Sequence, residues 1–170
     1  MTTYISSDHH FCHRNIIRYA GRPFSNVHNM NESMIVLWNS TVNPNDIVIY
    51  LGDFALASLY DIKLIRRRLN GDILLIKGNH DKSKRAMTEA GFKVINPFKI
   101  DCLVFSHKPL ENVPKGYVNV HGHIHDKDIF YKGNYINVCV ERTKYIPITL
   151  KSCLDRAKQM LIYTGEISNE

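Results

Sequence analysis

Cysteine is scarce and scattered in this chain of 170 residues. Its four cysteines, Cys12, Cys102, Cys139 and Cys153, form no Cys-x-x-Cys pair. This spacing argues against a disulfide framework and against a zinc site built from thiolates. We therefore expect reduced thiols in a cytoplasmic protein, where they serve mostly as packing residues.

The sequence also lacks long apolar runs. No stretch approaches the roughly 20 residues that a transmembrane helix needs, and residues 1–7 have neither the basic start nor the apolar segment of a secretory signal. Internal repeats, low-complexity tracts and flexible linkers are absent as well. We expect a single domain over residues 1–170 with no membrane association. Its oligomeric state stays open.

Positive charge is in modest excess, with 22 Lys and Arg against 16 Asp and Glu, for a formal net charge of +6. This balance suits an anionic substrate but does not demand one. Nucleic acid is a weakly supported partner, because no basic stripe interleaved with aromatic residues appears. The basic run Arg66–Arg68 is better explained as the end of a helix, where it complements the helix dipole.

Short apolar runs alternate with helical patterns along the chain. Two helical stretches are expected between His13 and Val42, one helix is expected after a capping pair of Ser58 and Asp61, and a last helix after Ser152 and Asp155. The apolar runs have the length and continuity of buried strands, at residues 3–5, 47–51, 73–76, 102–105, 118–121, 128–132 and 135–140. This pattern predicts an α/β fold of mixed sheets covered by helices.

Polar clusters follow five of the predicted strands, which is where open α/β sheets place their sites. Taken singly, each cluster has a simpler explanation: Gly52-Asp53 is a common turn, and His123 and His125 may share one face of a strand without binding anything. Together they offer oxygen and imidazole ligands without a thiolate, which suits Mn, Fe, Zn, Ni or Co. Two ions about 3.5–4 Å apart need a bridging group, and the carboxylate of Asp53 can supply one. The clusters are Asp8-His9-His10, Gly52-Asp53, Gly78-Asn79-His80-Asp81, Ser106-His107 and Gly122-His123-Ile124-His125.

The order of these clusters resembles the pattern of the calcineurin-like metallophosphoesterases, which is Asp-x-His, Gly-Asp, Gly-Asn-His-Asp/Glu, His and Gly-His-x-His. All five parts are present in that order between Asp8 and His125. The resemblance implies a four-layer double β-sandwich of mixed sheets flanked by helices. It also implies two divalent transition-metal ions, and we favour Mn as their identity. The implied ligands are Asp8, His10 and His125 for the first ion and Asn79, His107 and His123 for the second, with Asp53 between both.

The resemblance also implies a mechanism, in which a hydroxide that bridges the two ions attacks phosphorus. His80 would be the histidine that faces the substrate and donates a proton to the departing oxygen, and Asp81 would orient it. His13, at the start of an expected helix, is a candidate for substrate binding with Arg14 and Asn15, against the alternative of a structural cap. His9 is expected to point away from the candidate ligands and into packing.

Differences from the larger relatives narrow the range of candidate substrates. Gly52-Asp53 continues into residues 54–57, Phe-Ala-Leu-Ala, whereas the phosphoprotein phosphatases of the superfamily extend this segment to Asp-Arg-Gly. The chain is also shorter than the large nucleases that process DNA ends. What remains resembles small stand-alone phosphodiesterases, so we favour a phosphodiester, with a nucleotide or cyclic nucleotide as the preferred substrate. A broad phosphomonoesterase, or a non-catalytic relative that binds metal or nucleotide, stays as the alternative.

Overall fold

A computed structural model gives the structure of residues 1–128 and 133–168. Its helices are α1 (Ile16–Tyr19), α2 (Val27–Thr41), α3 (Leu59–Arg68), α4 (Lys84–Glu89) and α5 (Leu150–Tyr163). Its strands are β1 (Thr3–Ser6), β2 (Ile47–Tyr50), β3 (Asp72–Ile76), β4 (Lys93–Ile95), β5 (Phe98–Ile100), β6 (Leu103–Phe105), β7 (Val118–His121), β8 (Tyr135–Asn137) and β9 (Ile148–Thr149).

The first sheet has the strand order β4-β3-β2-β1-β9. Strands β1 to β4 run parallel, and β9 pairs with β1 in the antiparallel direction. Side chains of β2 alternate between two cores: Val48 and Tyr50 face the helices, while Ile49 packs toward the second sheet. Burial on both faces explains why this strand is a continuous apolar run in the sequence.

The second sheet has the order β5-β6-β7-β8, with β5 antiparallel to β6 and the remaining pairs parallel. It shares a core with the inner face of the first sheet and with α5, to which Cys153, Ala157 and Leu161 contribute. The predicted fold class, mixed sheets flanked by helices, is therefore confirmed. The strand predicted at 128–132 falls on residues 129–132, which lie outside the described residues, and Asp128 is not in a strand.

One predicted helix start is confirmed and another is wrong. The Ser58 hydroxyl accepts a hydrogen bond from the N–H of Asp61 at 3.1 Å, so the cap of α3 is as expected. The last helix begins at Leu150, one turn earlier than predicted, because the hydroxyl of Thr149 caps it by accepting from the N–H of Ser152. Strand β9 leads directly into this helix, which leaves no room for a later start.

Helix α2 contributes four buried side chains to the core on the outer face of the first sheet. Met34, Ile35 and Trp38 are buried there, as the helical pattern predicted. In the described residues, no helix has both the length and the apolar character that a membrane span requires.

Candidate metal centre

The loops that follow β1 and β2 continue side by side beyond the strands. The N–H of Asp8 donates to the carbonyl of Gly52 at 3.0 Å, and the N–H of His10 donates to the carbonyl of Asp53 at 3.1 Å. The carboxylate of Asp53 and the side chains of Asp8 and His10 therefore arise from neighbouring, mutually bonded segments. Such pairing fixes the separation of these side chains before anything binds.

Left-handed backbone conformations concentrate at the candidate ligands. Asp8, His10, Asp53, His123 and His125 have φ values of 60°, 50°, 57°, 71° and 55°. Residues other than glycine rarely adopt this region, and each such position costs about 1–3 kcal/mol. This geometry also corrects one expectation: His123 and His125 lie in the turn after β7, not on a strand, and they do not share one face.

Asp8, His10 and His125 form the first group, in which one ligand atom from each residue lies within 4.8 Å of the others. The Oδ1 atom of Asp8 and both ring nitrogens of His10 are buried without a hydrogen-bond partner in the described part of the chain. Burial raises the pKa of Asp8 to about 6, although the neighbouring histidines act in the opposite direction. Leaving such atoms unpaired costs about 1–3 kcal/mol each, and a bound cation would remove that cost.

Asp53, His107 and His123 form the second group, again within 4.8 Å. The Nδ1 atom of His107 lies 2.6 Å from the carbonyl oxygen of Leu51, and its Nε2 lies 2.9 Å from Oδ1 of Asn79. If Nδ1 donates to the carbonyl, Nε2 of the neutral ring is an acceptor and faces a second acceptor. A cation held by both His107 and Asn79 fits this arrangement.

The Oδ2 atom of Asp53 lies between the two groups. It is 3.5 Å from Nε2 of His10 in the first group and 3.5 Å from Nε2 of His107 in the second. Its other oxygen accepts the N–H of His80 at 2.8 Å, which holds the carboxylate in place. A single carboxylate oxygen is thus positioned to be shared by two cations.

Two glycines admit the carboxylates of the site. A Cβ atom at Gly78 would overlap Oδ1 and the backbone nitrogen of Asp53, and one at Gly122 would overlap Ser7 and Oδ2 of Asp8. These glycines are needed for close approach, which is the reason the site requires Gly before Asn79 and before His123.

The carboxylate of Asp81 has a different set of contacts from the expected one. It accepts hydrogen bonds from the backbone N–H groups of Asp53, Phe54 and Gly78, at 2.9, 2.9 and 2.8 Å. The bonds from Asp53 and Phe54 join the loop after β2 to the loop after β3. Asp81 therefore organises the segments that carry Asp53 and Asn79, and the carboxylate's hydrogen bonds within the described residues go to backbone groups, not to the ring of His80.

His80 and His13 both lie next to the ring of His10. The ring centroids of His80 and His10 are 5.3 Å apart, and those of His13 and His10 are 5.5 Å apart. His80 is exposed, whereas Nδ1 of His13 is buried without a partner among the described residues. Arg14 and Asn15 are exposed, and their side chains form no hydrogen bond or ion pair with the described residues. Helix α1 has only four residues, too few for a substantial dipole.

Arg22 and Glu141 belong to the site, although no motif contains them. Their side chains are 0% and 5% exposed and form an ion pair at 2.7 Å. Arg22 also donates to the backbone carbonyls of Asp8 and His9 at 2.7 and 2.6 Å. Oε1 of Glu141 lies 3.0 Å from Nδ1 of His125. Burial alone would raise the pKa of Glu141, but the bond from His125 and the charge of Arg22 outweigh it and lower the pKa.

This contact gives His125 the arrangement that metal-binding histidines commonly have. When Nδ1 donates to a carboxylate, the ring is fixed in one tautomer and Nε2 is free to bind a cation. Sequence reasoning missed Glu141 because it lies 16 residues beyond His125 and outside every recognisable pattern.

His9 packs in the core, as predicted. Its ring is fully buried, 5.1 Å from the ring of Phe11 and 5.4 Å from that of Trp38, and Nδ1 lies 2.9 Å from the hydroxyl of Tyr50. Burial lowers the pKa of His9 to about 3. The alternation of side chains along Asp8-His9-His10 thus separates a packing residue from its two neighbours in the site.

Comparisons with known proteins bear on the family and the fold of the chain. The family model described as calcineurin-like phosphoesterase matches residues 1–150. An uncharacterised protein of Methanocaldococcus jannaschii is 39% identical over an alignment of 161 positions, and the match covers 86% of this chain and 86% of that protein. The crystal structure of a protein of unknown function from Aquifex aeolicus superimposes with a TM-score of 0.70 at 24% identity, over 91% of this chain and 98% of that one. A nuclease of Pseudomonas putida is a weaker match, with a TM-score of 0.49 at 20% identity over 72% of this chain and 61% of that one.

Proposed function

The chain belongs to the calcineurin-like phosphoesterase family, and from this premise we propose that it hydrolyses phosphodiesters with two divalent metal ions. The observation that carries the proposal is the position of Asp53, whose Oδ2 atom is 3.5 Å from a histidine nitrogen of each candidate ligand group. A site for a single ion does not require a carboxylate oxygen between two ligand groups, whereas a site for two ions requires a shared ligand in that position.

In this proposal, Asp8, His10 and His125 would hold the first ion, Asn79, His107 and His123 would hold the second, and Asp53 would serve both. Nitrogen and oxygen donors without thiolate suit Mn, Fe, Zn, Ni or Co, and we favour Mn. Two such ions, when bound, supply a water acidified to near-neutral pH and neutralise the charge that develops on the phosphoryl oxygens.

His80 is the proposed proton donor. It is exposed at the opening of the site, and its ring lies 5.3 Å from that of His10, so a phosphoryl group on the metal centre is within reach. A proton held on this ring would pass to the departing oxygen, a role worth about 10²–10⁴-fold in rate. His13 also lies beside His10, with ring centroids 5.5 Å apart, and its ring is the proposed contact for the substrate.

A diester is favoured over a monoester because neither Phe54 nor Arg22 offers a free positive charge to the phosphoryl group. The residue after Asp53 is Phe54, which is fully buried and packs against Phe11 and Phe92 rather than reaching the site. The guanidinium of Arg22 is already paired with Glu141. A monoester dianion needs more positive charge than a diester monoanion, so this environment supports the diester. A nucleotide or cyclic nucleotide is the substrate class that we propose.

Parallel assays with bis-p-nitrophenyl phosphate and p-nitrophenyl phosphate, both with Mn²⁺, test the proposal. We expect the diester to have the higher kcat/KM, with the Asp53→Asn variant as the blank. Faster turnover of the monoester would instead support a broad phosphomonoesterase. No turnover with any first-row divalent ion, despite two bound metals, would support a non-catalytic binding protein.

A further inference from the structure

A cavity of about 570 Å³ opens directly beside Asn79 and His107. Its walls come from three places: the end of β3, the link between β4 and β5, and the loop that follows β6. The volume falls within the roughly 300–1,000 Å³ of small-molecule sites. A group attached to a phosphoryl on the second set of candidate ligands would therefore have room here.

The lining combines apolar surfaces with a few hydrogen-bonding groups. Ile95 ends β4 and Pro97 lies in the link to β5, while Pro109 and Leu110 come from the loop after β6. Such side chains suit the faces of a flat ring. Asn96 and Glu111 also line the cavity, and their amide and carboxylate suit the N–H and O–H groups at the edge of a base or a sugar.

Hydrogen bonds with Asn119, a fully buried residue of β7, hold the loop after β6 in place. Its Oδ1 accepts the N–H of Leu110 at 2.9 Å, and its Nδ2 donates to Oγ of Ser106 at 2.9 Å. The hydroxyl of Tyr135 donates to the carbonyl of Leu110 at 2.7 Å. A wall fixed in advance lowers the entropy cost of binding, which is expected of a binding site rather than of an incidental groove.

Charge at the cavity suits a phosphate ester. Lys108 is exposed and makes no ion pair with the described residues. Lys108 directly follows His107 and lines the cavity together with it. The other lysine of the lining, Lys77, is engaged with the carbonyl of Asp81 at 2.9 Å.

We propose that this cavity binds the nucleoside part of a nucleotide diester while its phosphate lies on the candidate metal ligands. The inference rests on the proposed function and deepens it. The cavity wall selects the ester substituent that stays on phosphorus when the leaving group departs. This wall is formed by Ile95, Pro97, Pro109 and Leu110. Lys108 is placed to contact the ester next to that substituent.

Two substrates with the same leaving group test the proposal kinetically in the Mn²⁺-loaded protein. Thymidine 5′-(p-nitrophenyl phosphate) carries a nucleoside, and methyl p-nitrophenyl phosphate carries only a methyl group. We expect kcat/KM to be at least tenfold higher for the thymidine ester. Leu110→Ser should bring this ratio close to one by lowering kcat/KM for the thymidine ester.

Leu154→Ser is the matched control, because Leu154 is also half-buried and lines a cavity of about 560 Å³ on α5, away from the candidate ligands. It should keep the wild-type ratio. Equal kcat/KM for the two esters in the wild type, or an unchanged ratio in Leu110→Ser, would overturn the proposal.

A titration without turnover separates this inference from the proposed function. Thymidine added to methyl-labelled protein should shift the NMR signals of Ile95 and Leu110 and leave those of Leu154 in place. If the protein hydrolyses neither ester, the proposed function fails, and the titration still decides the cavity. Unshifted Ile95 and Leu110 signals would overturn it.

Discussion

The contact between His125 and Glu141 shows how one residue outside the motifs shapes a candidate ligand. Oε1 of Glu141 lies 3.0 Å from Nδ1 of His125 and also accepts from Arg22. The carboxylate thereby fixes which ring nitrogen faces the first ligand group. Outer contacts of this kind typically contribute about 10–100-fold to metal affinity.

Glu141→Gln should therefore weaken binding of the first Mn²⁺ ion by about 10–100-fold and leave the second nearly unchanged. Isothermal titration calorimetry on the full chain measures both steps. Glu89→Gln is the control, because Glu89 is an exposed acid paired with Lys63. Equal affinities in Glu141→Gln and the wild type would show that this carboxylate has no part in metal binding.

His80→Ala should retain both metal ions and lose about 10²–10⁴-fold in kcat on the diester, because only the proton donor is removed. Steady-state kinetics together with metal analysis by mass spectrometry measure the two quantities. His28→Ala, which removes an exposed histidine of α2, should keep wild-type activity. A His80→Ala protein that binds no metal would remove His80 from the proton-donor role.

At this scale, sequence patterns predicted which side chains meet but not what supports them. The five clusters identify the residues that the structure brings into two groups around Asp53. Arg22 and Glu141 are 119 residues apart in the chain, so no local pattern signals their pairing. The contacts of Asp81 with three backbone groups could not be predicted either, because hydrogen bonds to the backbone of loops have no sequence pattern.

The segment between α1 and α2 is tied to two other loops through Arg22. Its guanidinium donates to carbonyls in the loop after β1 and pairs with Glu141 in the segment after β8. The three segments are thus joined by one buried charge pair. Breaking a buried pair by removing one partner costs about 3–5 kcal/mol, because the other charge is left without compensation.

Arg22→Met should accordingly lower the free energy of unfolding by about 3–5 kcal/mol, measured by urea denaturation of the metal-free protein. Arg68→Met should cost less than about 1 kcal/mol, since the pair of Arg68 with Glu32 is exposed to solvent. Adding Glu141→Gln to Arg22→Met should recover part of the loss. An equal loss of unfolding free energy in the Arg22 and Arg68 variants would contradict a stabilising role for the buried pair of Arg22 and Glu141.

Elements with strong periodicity were predictable, and short ones were not. The strands β1, β2, β3, β6 and β7 and the helices α2 and α3 follow clear apolar patterns. The strands β4, β5 and β9 have three, three and two residues, and each contains a polar residue, Lys93, Lys99 and Thr149. The equally short β6 is wholly apolar and lies in a longer apolar run, which is why it could be predicted. The sequence does not predict the turn that carries His123 and His125, because its left-handed backbone depends on tertiary contacts rather than on residue type.

Over the whole molecule, the two ligand groups join the two sheets. Asp8 and His10 follow β1 of the first sheet, whereas His125 follows β7 of the second. The second group likewise combines Asp53 from the first sheet with His107 from the second. Bound ions would therefore link both halves of the sandwich and relieve the buried, unpaired atoms of the first group.

Metal binding should accordingly raise the thermal stability of the protein. Mn²⁺ at about 100 times its Kd should add about 2.7 kcal/mol per site, which corresponds to a rise in Tm of roughly 5–10 °C for a chain of this size. Differential scanning fluorimetry with and without a chelator measures the shift. An unchanged Tm would show that the folded protein gains nothing from the ion.

The number of metal ions per chain tests the central claim most directly. We predict that gel-filtered, Mn²⁺-loaded wild-type protein carries two ions per chain by inductively coupled plasma mass spectrometry, and that Asp53→Asn carries no more than one. Asp72→Asn, a control at an exposed acid paired with Lys93, should carry two. A wild-type protein with one ion or none, or an Asp53→Asn variant that keeps both, would contradict a centre built around a shared Asp53.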